Sequence, residues 1–475
     1  MTALVAPGTS TDSRVPSPLG SRARLDAVVR VGAVAALGGA LALVTGWWVA
    51  DGGIGASAGA TGLLESLGRL SGLAASVLLL AQVLLMARIP LLERAFGQDR
   101  LARIHRVVGF TSFTLLLAHI VTITWGYAAA DLLRTPSTFW NLTTTYPGML
   151  LAVGGTLALV LVVVTSVRAA RRRLRYESWH LLHLYGYLGA GLALPHQLWT
   201  GQQFTTSPGR TVFWWGLWGA AAGSVLVWRV GLPLWRNLRH DLRVTSVVPE
   251  GDGIRSVYLS GRHLHRLPVE AGQFLSWRFL GRRGWTRAHP YSLSAAPDGR
   301  SLRITVQDAG DGSSATARLA PGTRALVEGP FGRLSARSRT RRKVALIGAG
   351  VGVTPLRALA EGLAYEPGEA VLLHRYTTDP LFVDEVTALA RERGLHVFHL
   401  PGRRRGHGSW IGDDIPGFPD VHEVSDHVAL RHWVPDLAER EVYVCGPEAW
   451  NRLVLRDLDA LGVPRDHVHL ESFAW

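Results

Sequence analysis

The sequence predicts a multidomain membrane protein with three architectures in series: an all-α bundle of six transmembrane helices, an antiparallel β-barrel, and an α/β domain on a parallel sheet. Three observations carry this. Apolar runs at about 28–50, 71–91, 107–126, 147–167, 179–199 and 211–231 each approach the ~20 residues that cross a bilayer. After residue 240 they give way to short alternating runs punctuated by Gly and Pro. From Lys343 onward the pattern is strand, Gly-rich turn, helix. The boundaries expected are a disordered tail over 1–25, the bundle over 26–235, the barrel over 240–335 and the α/β domain over 340–475.

The 475 residues are 48% hydrophobic and include one cysteine, Cys445. Internal disulfides and Cys-rich metal clusters are thereby excluded, so redox chemistry would need bound cofactors. A net charge of +14 invites a nucleic-acid partner, but much of the arginine sits in short loops between apolar runs. Residues 1–30 hold four, 88–106 five, 168–175 five and 229–243 four. The alternate loops hold one each: Arg69, Arg134 and Arg210. By the positive-inside rule this is a multi-pass protein of the cell membrane with both termini cytoplasmic, and no nucleic acid is expected. Residues 1–25 are rich in Ser, Pro, Thr and Arg without apolar periodicity, and are long for the charged region of a cleaved signal.

The third and fifth spans carry histidines. His105 and His119 are fourteen residues apart; His183 and His196 are thirteen apart, with His180 nearby. At ~1.5 Å rise per residue each pair spans roughly 20 Å along its helix, two depths of one bilayer. Fourteen residues return His119 to within about 40° of His105, whereas thirteen leave His196 well off the face of His183. Pro195 stands where a kink could re-aim it. A single histidine in a span is ordinarily a packing residue. Ionisable side chains at such depth tend to be functional, however, and imidazole is an axial ligand of haem iron.

Beyond the bundle, LRVTSVV, SVYLSG, QFLSWRFL, LRITVQD and RALVEGP read as barrel strands. Among them lie His289-Pro290-Tyr291-Ser292-Leu293-Ser294, then DAGDGSS from Asp308 to Ser314, then GPFG at 329–332. KVALIG, AVLLHRY, LHVFHL and REVYVCG read as strands of the parallel sheet. The first runs into Gly348, Gly350 and Gly352, and then Thr354-Pro355 entering a helix, a phosphate-binding arrangement. No acid closes the second strand; it ends His374-Arg375, and GRRRG follows at 402–406. Arg375 or the arginines at 403–405 could receive a 2′-phosphate, or the run could be a solvated basic loop. Cys445-Gly446-Pro447 ends the last strand read, and the chain closes ESFAW with Phe473 and Trp475.

In this order the motifs resemble the ferric reductase/NADPH oxidase superfamily, whose membrane branch commonly carries His at the position of His289. The resemblance covers about 28–475 and implies FAD, NADPH (or NADH) and two b-type haems. It pairs His105 with His183 on the inner haem and His119 with His196 on the outer, with His180 as second choice. It implies that Tyr291 packs on the isoalloxazine and Ser292 contacts flavin N5. Gly310, Gly312 and Ser313 would offer amides to the pyrophosphate. Cys445 would assist hydride transfer, and Phe473, with Trp475 competing, would stack on the flavin. Phe113 could fill the gap between haems or simply pack. The implied activity is electron transfer from cytosolic NAD(P)H to an external acceptor: a ferric or cupric chelate, oxygen, or a redox protein. The alternative is a membrane-anchored flavin reductase serving a cytosolic ferredoxin-like or oxygenase partner. The oligomeric state stays open.

Overall fold

The computed structural model describes residues 20–57, 59–167, 171–173, 176–281, 284–406, 408–414, 416–418 and 424–472. The expected disordered tail up to residue 19, and both Phe473 and Trp475, lie outside the described residues. The chain divides into two compact units, Asp26–Gly332 and Arg333–Trp475 with Met1–Leu25.

In the first unit the apolar runs form α1 (Ser21–Ala50), α2 (Gly59–Met86), α4 (Gln98–Tyr127), α6 (Met149–Ser166), α7 (Tyr176–Trp199) and α8 (Pro208–Ser224). Short helices α3 (Pro90–Phe96) and α5 (Thr135–Thr145) fill two of the connections. A π-helical turn over Val225–Gly231 carries α8 into α9 (Leu232–His240). Among the described residues five helices are long and apolar enough to cross a membrane, the last being Pro208–His240. The fifth predicted span is helical as α7 but is not one of the five, so among the described residues the expected six spans are met by five helices that are long and apolar enough. His180, His183, Pro195, His196 and Gln197 dilute its apolar run. Val31, Leu157 and Leu226 stay 64% exposed or more, the apolar surface that lipid would cover.

α2 packs along α4, and α6 along α7. The second pair meets backbone to backbone. A Cβ on Gly155 would lie 2.7 Å from the Gly189 carbonyl oxygen, and one on Gly189 2.9 Å from that of Gly155. Small residues of this kind let membrane helices approach closely.

The strands of this unit are β1 (Arg243–Gly251), β2 (Ile254–Ser260), β3 (Phe274–Phe279), β4 (His289–Ser292), β5 (Ser301–Gln307) and β6 (Ala325–Phe331). They do not close into the expected barrel. Two three-stranded antiparallel sheets, β1-β2-β5 and β4-β3-β6, share a core built on Leu259, Leu275, Trp277, Leu293 and Ile304. Single bridges, Leu293 to Ile304 and Arg243 to Arg324, stand where ladders would close the barrel. β4 is only four residues long, and Pro290 in it has no N–H to extend a ladder. Helix α9 joins this layer through Asn237. Its amide donates to Val327 O at 2.8 Å and accepts from Val327 N at 2.7 Å, so a side chain satisfies both backbone groups of β6 there.

The second unit is a parallel sheet in the order β11-β10-β7-β8-β9, with β7 (Val344–Ala349), β8 (Ala370–Arg375), β9 (His396–Leu400), β10 (Glu441–Gly446) and β11 (Val468–Ser472). Helices α10 (Val353–Gly362), α11 (Val383–Arg393), α12 (Asp426–Trp433) and α13 (Glu448–Ala460) accompany it. Strand β11 was not expected from the sequence. A buried pair pins it: His469 Nε2 lies 2.6 Å from Glu441 Oε1 at the start of β10. Burial alone would raise the Glu441 carboxyl. Hydrogen bonds from His469 and from the Thr340 amide and hydroxyl outweigh it and hold the carboxyl below its ordinary value.

A depressed carboxyl contributes stability above its unfolded pKa of about 4.3 and loses it as pH falls through the folded value. Acidification below about pH 4.5 should therefore loosen β11 first. Hydrogen exchange at Val468–Ser472 across a pH series checks this, and Glu441→Gln should flatten the response.

Candidate functional site

A cavity of about 1250 Å³ lies among α2, α4, α6 and α7, lined by His105, His119, His183 and His196. The four rings meet in two pairs across it. His105 faces His183 with ring centroids 6.0 Å apart, and His119 faces His196 at 6.5 Å. His180 also lines the cavity, yet it is His183 that forms the ring pair with His105. His196 reaches His119 although thirteen residues of ideal helix would leave it about 140° from His183. Gly148, at φ +79°, closes on that turn: a Cβ there would stand 2.7 Å from the His196 backbone nitrogen.

Each ring is anchored by Nδ1. His105 bonds Gln82 O at 3.2 Å, His119 bonds Gly68 O at 2.8 Å, and His196 bonds Ala193 O at 3.1 Å. His183 Nδ1 lies 3.2 Å from Ser166 Oγ, whose own hydrogen goes to Val162 O. Carbonyl oxygens only accept, so Nδ1 carries the proton and Nε2 keeps its lone pair. That is the anchoring a ligating imidazole uses. A metal–nitrogen bond of about 2 Å with about 1.1 Å from nitrogen to ring centre puts two collinear imidazoles about 6 Å apart, which both pairs match. Among the described residues no group of three or more His, Cys, Asp or Glu could hold a metal ion. Haem needs only two protein ligands, because the porphyrin supplies the rest, so the paired imidazoles fit it. Phe113 packs with Leu79, Leu159 and Ala190 between the two depths.

In the strand layer, β4 carries the first flavin-type motif against its neighbour β3. Tyr291 pairs with Leu275, Ser292 with Phe274, Pro290 with Ser276 and His289 with Trp277. The His289 and Tyr291 rings stack 5.9 Å apart at 13°. Ser292 is 4% exposed and its hydroxyl has no hydrogen-bond partner, an orphan that a bound flavin heteroatom would satisfy. Leu293 and Ser294 are fully buried and continue into the core. The second motif forms a tight turn after β5. Gly310 adopts φ +142°, which favours glycine, Gly312 lies in the single helical turn Asp311–Ser314, and Ser313 Oγ accepts from Ala309 N at 2.8 Å.

In the second unit the glycine-rich turn runs from β7 into α10. A Cβ on Gly352 would lie 2.2 Å from the Cys445 carbonyl oxygen, and one on Gly348 2.8 Å from Leu356 Cδ1. Gly350 has φ +54°. The glycines therefore bring the phosphate-type turn against the Cys445-Gly446-Pro447 strand end. Thr354, 2% exposed on the first turn of α10 beside Pro355, has a hydroxyl with no partner, which fits a pyrophosphate oxygen. Burial, helped by the Glu471 carboxylate, pushes the Cys445 thiol well up, so it stays protonated. Arg375 is 5% exposed and gives Nη1 to the Tyr376 carbonyl, while its Nε has no partner. The basic loop divides. Arg405 pairs with the buried Asp426 at 2.6 Å and Arg404 donates to Ser409 O at 3.0 Å. Sequence reasoning missed Asn451, whose amide donates to Gly446 O at 2.9 Å and Glu471 O at 3.1 Å, clamping the ends of β10 and β11. No periodicity marks such a residue.

Residues 71–194 match a family described as ferric reductase like transmembrane component, a stretch that holds His105, His119 and His183 and stops two residues short of His196. A 243-residue stretch is 30% identical to ferredoxin–NADP reductase B of Sorangium cellulosum, covering 49% of this chain and 97% of that protein. Glycine betaine monooxygenase reductase subunit of Chromohalobacter salexigens is 27% identical over 50% of this chain and 65% of its own. A flavohemoprotein of Pseudomonas aeruginosa is 29% identical over 50% of this chain and 60% of its own. The chain spans less than two thirds of these last two relatives. It belongs to the fused ferric reductase superfamily, an oxidoreductase joining a ferric-reductase-like transmembrane component to a ferredoxin–NADP reductase-type FAD/NAD(P)-binding module.

Proposed function

We propose that this protein carries electrons across the cell membrane, from cytosolic NAD(P)H through FAD and two b-type haems to an acceptor on the outer side. The observation that carries the reading is the two cross-cavity imidazole pairs at two depths, each ring anchored through Nδ1 so that Nε2 keeps its lone pair. The working parts are a di-haem bundle over 26–235, a flavin domain over 240–335 and a nicotinamide domain over 340–475. The arginine-rich loops support a topology with both termini in the cytoplasm.

Bound flavin takes a hydride and releases single electrons, and haem iron carries them singly. The chain's residues do the rest. His105 and His183 hold the inner haem, His119 and His196 the outer. Tyr291 and Ser292 orient the flavin, and Gly310, Gly312 and Ser313 seat its pyrophosphate. Gly348, Gly350, Gly352 and Thr354 seat the nicotinamide dinucleotide. Cys445, kept neutral by burial, offers a thiol that neither repels nor attacks the nicotinamide. By the family resemblance, Phe473 or Trp475 would be the aromatic that stacks on the flavin. The acceptor is a ferric or cupric chelate or oxygen.

A reduced-minus-oxidised spectrum of the purified protein should show b-type haem bands. Their absence would favour the membrane-anchored flavin reductase that serves a cytosolic partner; the Chromohalobacter relative is named as the reductase subunit of a monooxygenase. His119→Ala should abolish reduction of an outside acceptor while leaving flavin reduction by NADPH unchanged; equal loss of both would reject the ladder of haems.

NADPH should exceed NADH in kcat/KM. Arg375→Ala should remove that preference by about 1–3 kcal/mol, the scale of a lost charge-assisted contact. Equal use of the two cofactors by the native protein rejects this role. Thr354→Val should weaken either cofactor by about tenfold, about 1.4 kcal/mol, without loss of FAD, as titration of the flavin spectrum would show.

A further inference from the structure

We infer that Arg88 is a positioning residue that clasps the flavin-binding sheet onto the inner mouth of the histidine cavity. Its proposed purpose, setting the flavin-to-haem step, rests on the di-haem reading above. Arg88 lies in the turn between α2 and α3, at φ +65°, a left-handed conformation that a non-glycine residue holds only when its surroundings demand it. Those surroundings are three. Its guanidinium reaches Glu93 Oε1 at 3.2 Å and Glu328 Oε1 at 3.4 Å, and sits 4.3 Å above the Phe331 ring. Arg229 approaches Glu328 from α9's approach turn at 4.0 Å, so two cations and two carboxylates close a neutral cluster. Arg88, Glu93 and Glu328 are 13%, 11% and 18% exposed.

The location gives the cluster its meaning. Glu328 and Phe331 belong to β6, and Phe331 lies opposite Phe274, which on its other side lies opposite Ser292 of the flavin motif. Arg88 is at the same time a wall of the cavity that holds His105 and His183. Helix α9 already ties β6 to the bundle through Asn237 and through Arg236 on the Gly329 carbonyl. That attachment sits next to the chain connection into β1. Arg88 arrives from more than two hundred residues away in sequence and supplies the second point that fixes the sheet. Burial pushes the Glu93 carboxyl up against the pull of Arg88, so the cluster is costly unless complete. A buried charge cluster adds little net stability, whereas removing one partner from it is strongly destabilising. Single-electron transfer falls steeply with separation, so a swung sheet would starve the inner haem while leaving the flavin reducible.

The test uses the full-length protein in nanodiscs with Arg88→Met, Arg88→Lys, Glu328→Gln and the Arg88→Met/Glu328→Gln double variant. Anaerobic stopped-flow separates flavin reduction by NADPH from the b-type absorbance change that follows. Hydrogen exchange follows Ala325–Phe331 and Pro90–Phe96 without reductant. In Arg88→Met flavin reduction should hold, the haem step should slow by about tenfold or more, and exchange in β6 should rise. Arg88→Lys should recover part of both, and the double variant should be no slower than the slower single, because both changes break one cluster. A haem step at the native rate in Arg88→Met, or effects that multiply in the double variant, would overturn the clasp. If the native protein shows no b-type bands, the di-haem reading fails instead. Exchange in β6 then decides alone whether Arg88 clasps the sheet, and unchanged protection in Arg88→Met rejects it.

Discussion

Four imidazoles held inside an apolar bundle set the terms for the whole helical region. A buried ring nitrogen without a partner costs on the order of 1–3 kcal/mol, and each ring has two. The bundle answers for one nitrogen of each by hydrogen bonding and brings the rings together in two pairs across the cavity. Three of the four anchors are backbone carbonyls, and a helical carbonyl can reach a neighbouring helix only where side chains do not intervene. Gly68 and Gly72 meet that requirement on α2. A Cβ on Gly68 would lie 2.5 Å from Ile123, and one on Gly72 2.6 Å from His119 Nδ1. The close packing of α2 on α4 thus follows from anchoring His119 to the Gly68 carbonyl. The Gly155–Gly189 contact brings α6 against α7, where Ser166 meets His183.

The second unit uses the same device for a different end. Gly352 lets the turn at the start of α10 rest on the Cys445 carbonyl, and Asn451 ties the end of β10 to β11 through backbone oxygens. Cys445 is consequently enclosed on every side, which is why its thiol stays protonated. A reactive thiolate needs exposure and a nearby cation; Cys445 is fully buried, and the charge that acts on it is the Glu471 carboxylate. The enclosure that makes the sulfur inert is also what fixes its position.

What the sequence revealed was whatever repeats or carries chemistry in one stretch. Apolar length marked the helices, alternation marked β1 to β3, β5 and β6, and the glycine spacing marked the turn before Thr354. The pairing of His105 with His183 was implied by the family resemblance, whereas His196 did not fit an ideal 100° turn and needed the structure. Partners drawn from distant backbone were illegible: no pattern announces that Gln82 or Gly68 will accept from a histidine, or that Asn237 will stand in for a strand. Strand β11 was missed because VHLES is short and half polar, and is held by the His469–Glu441 pair rather than by an apolar face. Barrel closure failed for the opposite reason. The alternation was read correctly, but Pro290 limits how far β4 can extend its ladder.

The arginines show how composition overstates function. Read as a run, 403–405 looks like a ready phosphate cradle. Yet Asp426 is 6% exposed and also accepts from Ser409 Oγ at 2.8 Å and Trp410 N at 2.7 Å, so its charge has to be met from within the fold. Arg405 meets it, and Arg404 holds the Ser409 carbonyl of the same loop. A buried carboxylate that loses its cation is far more costly than an exposed arginine that lacks an anion, so packing has first claim on such a run. Arg375, with its guanidinium only partly engaged at the end of β8, remains the group whose position serves no comparable structural need.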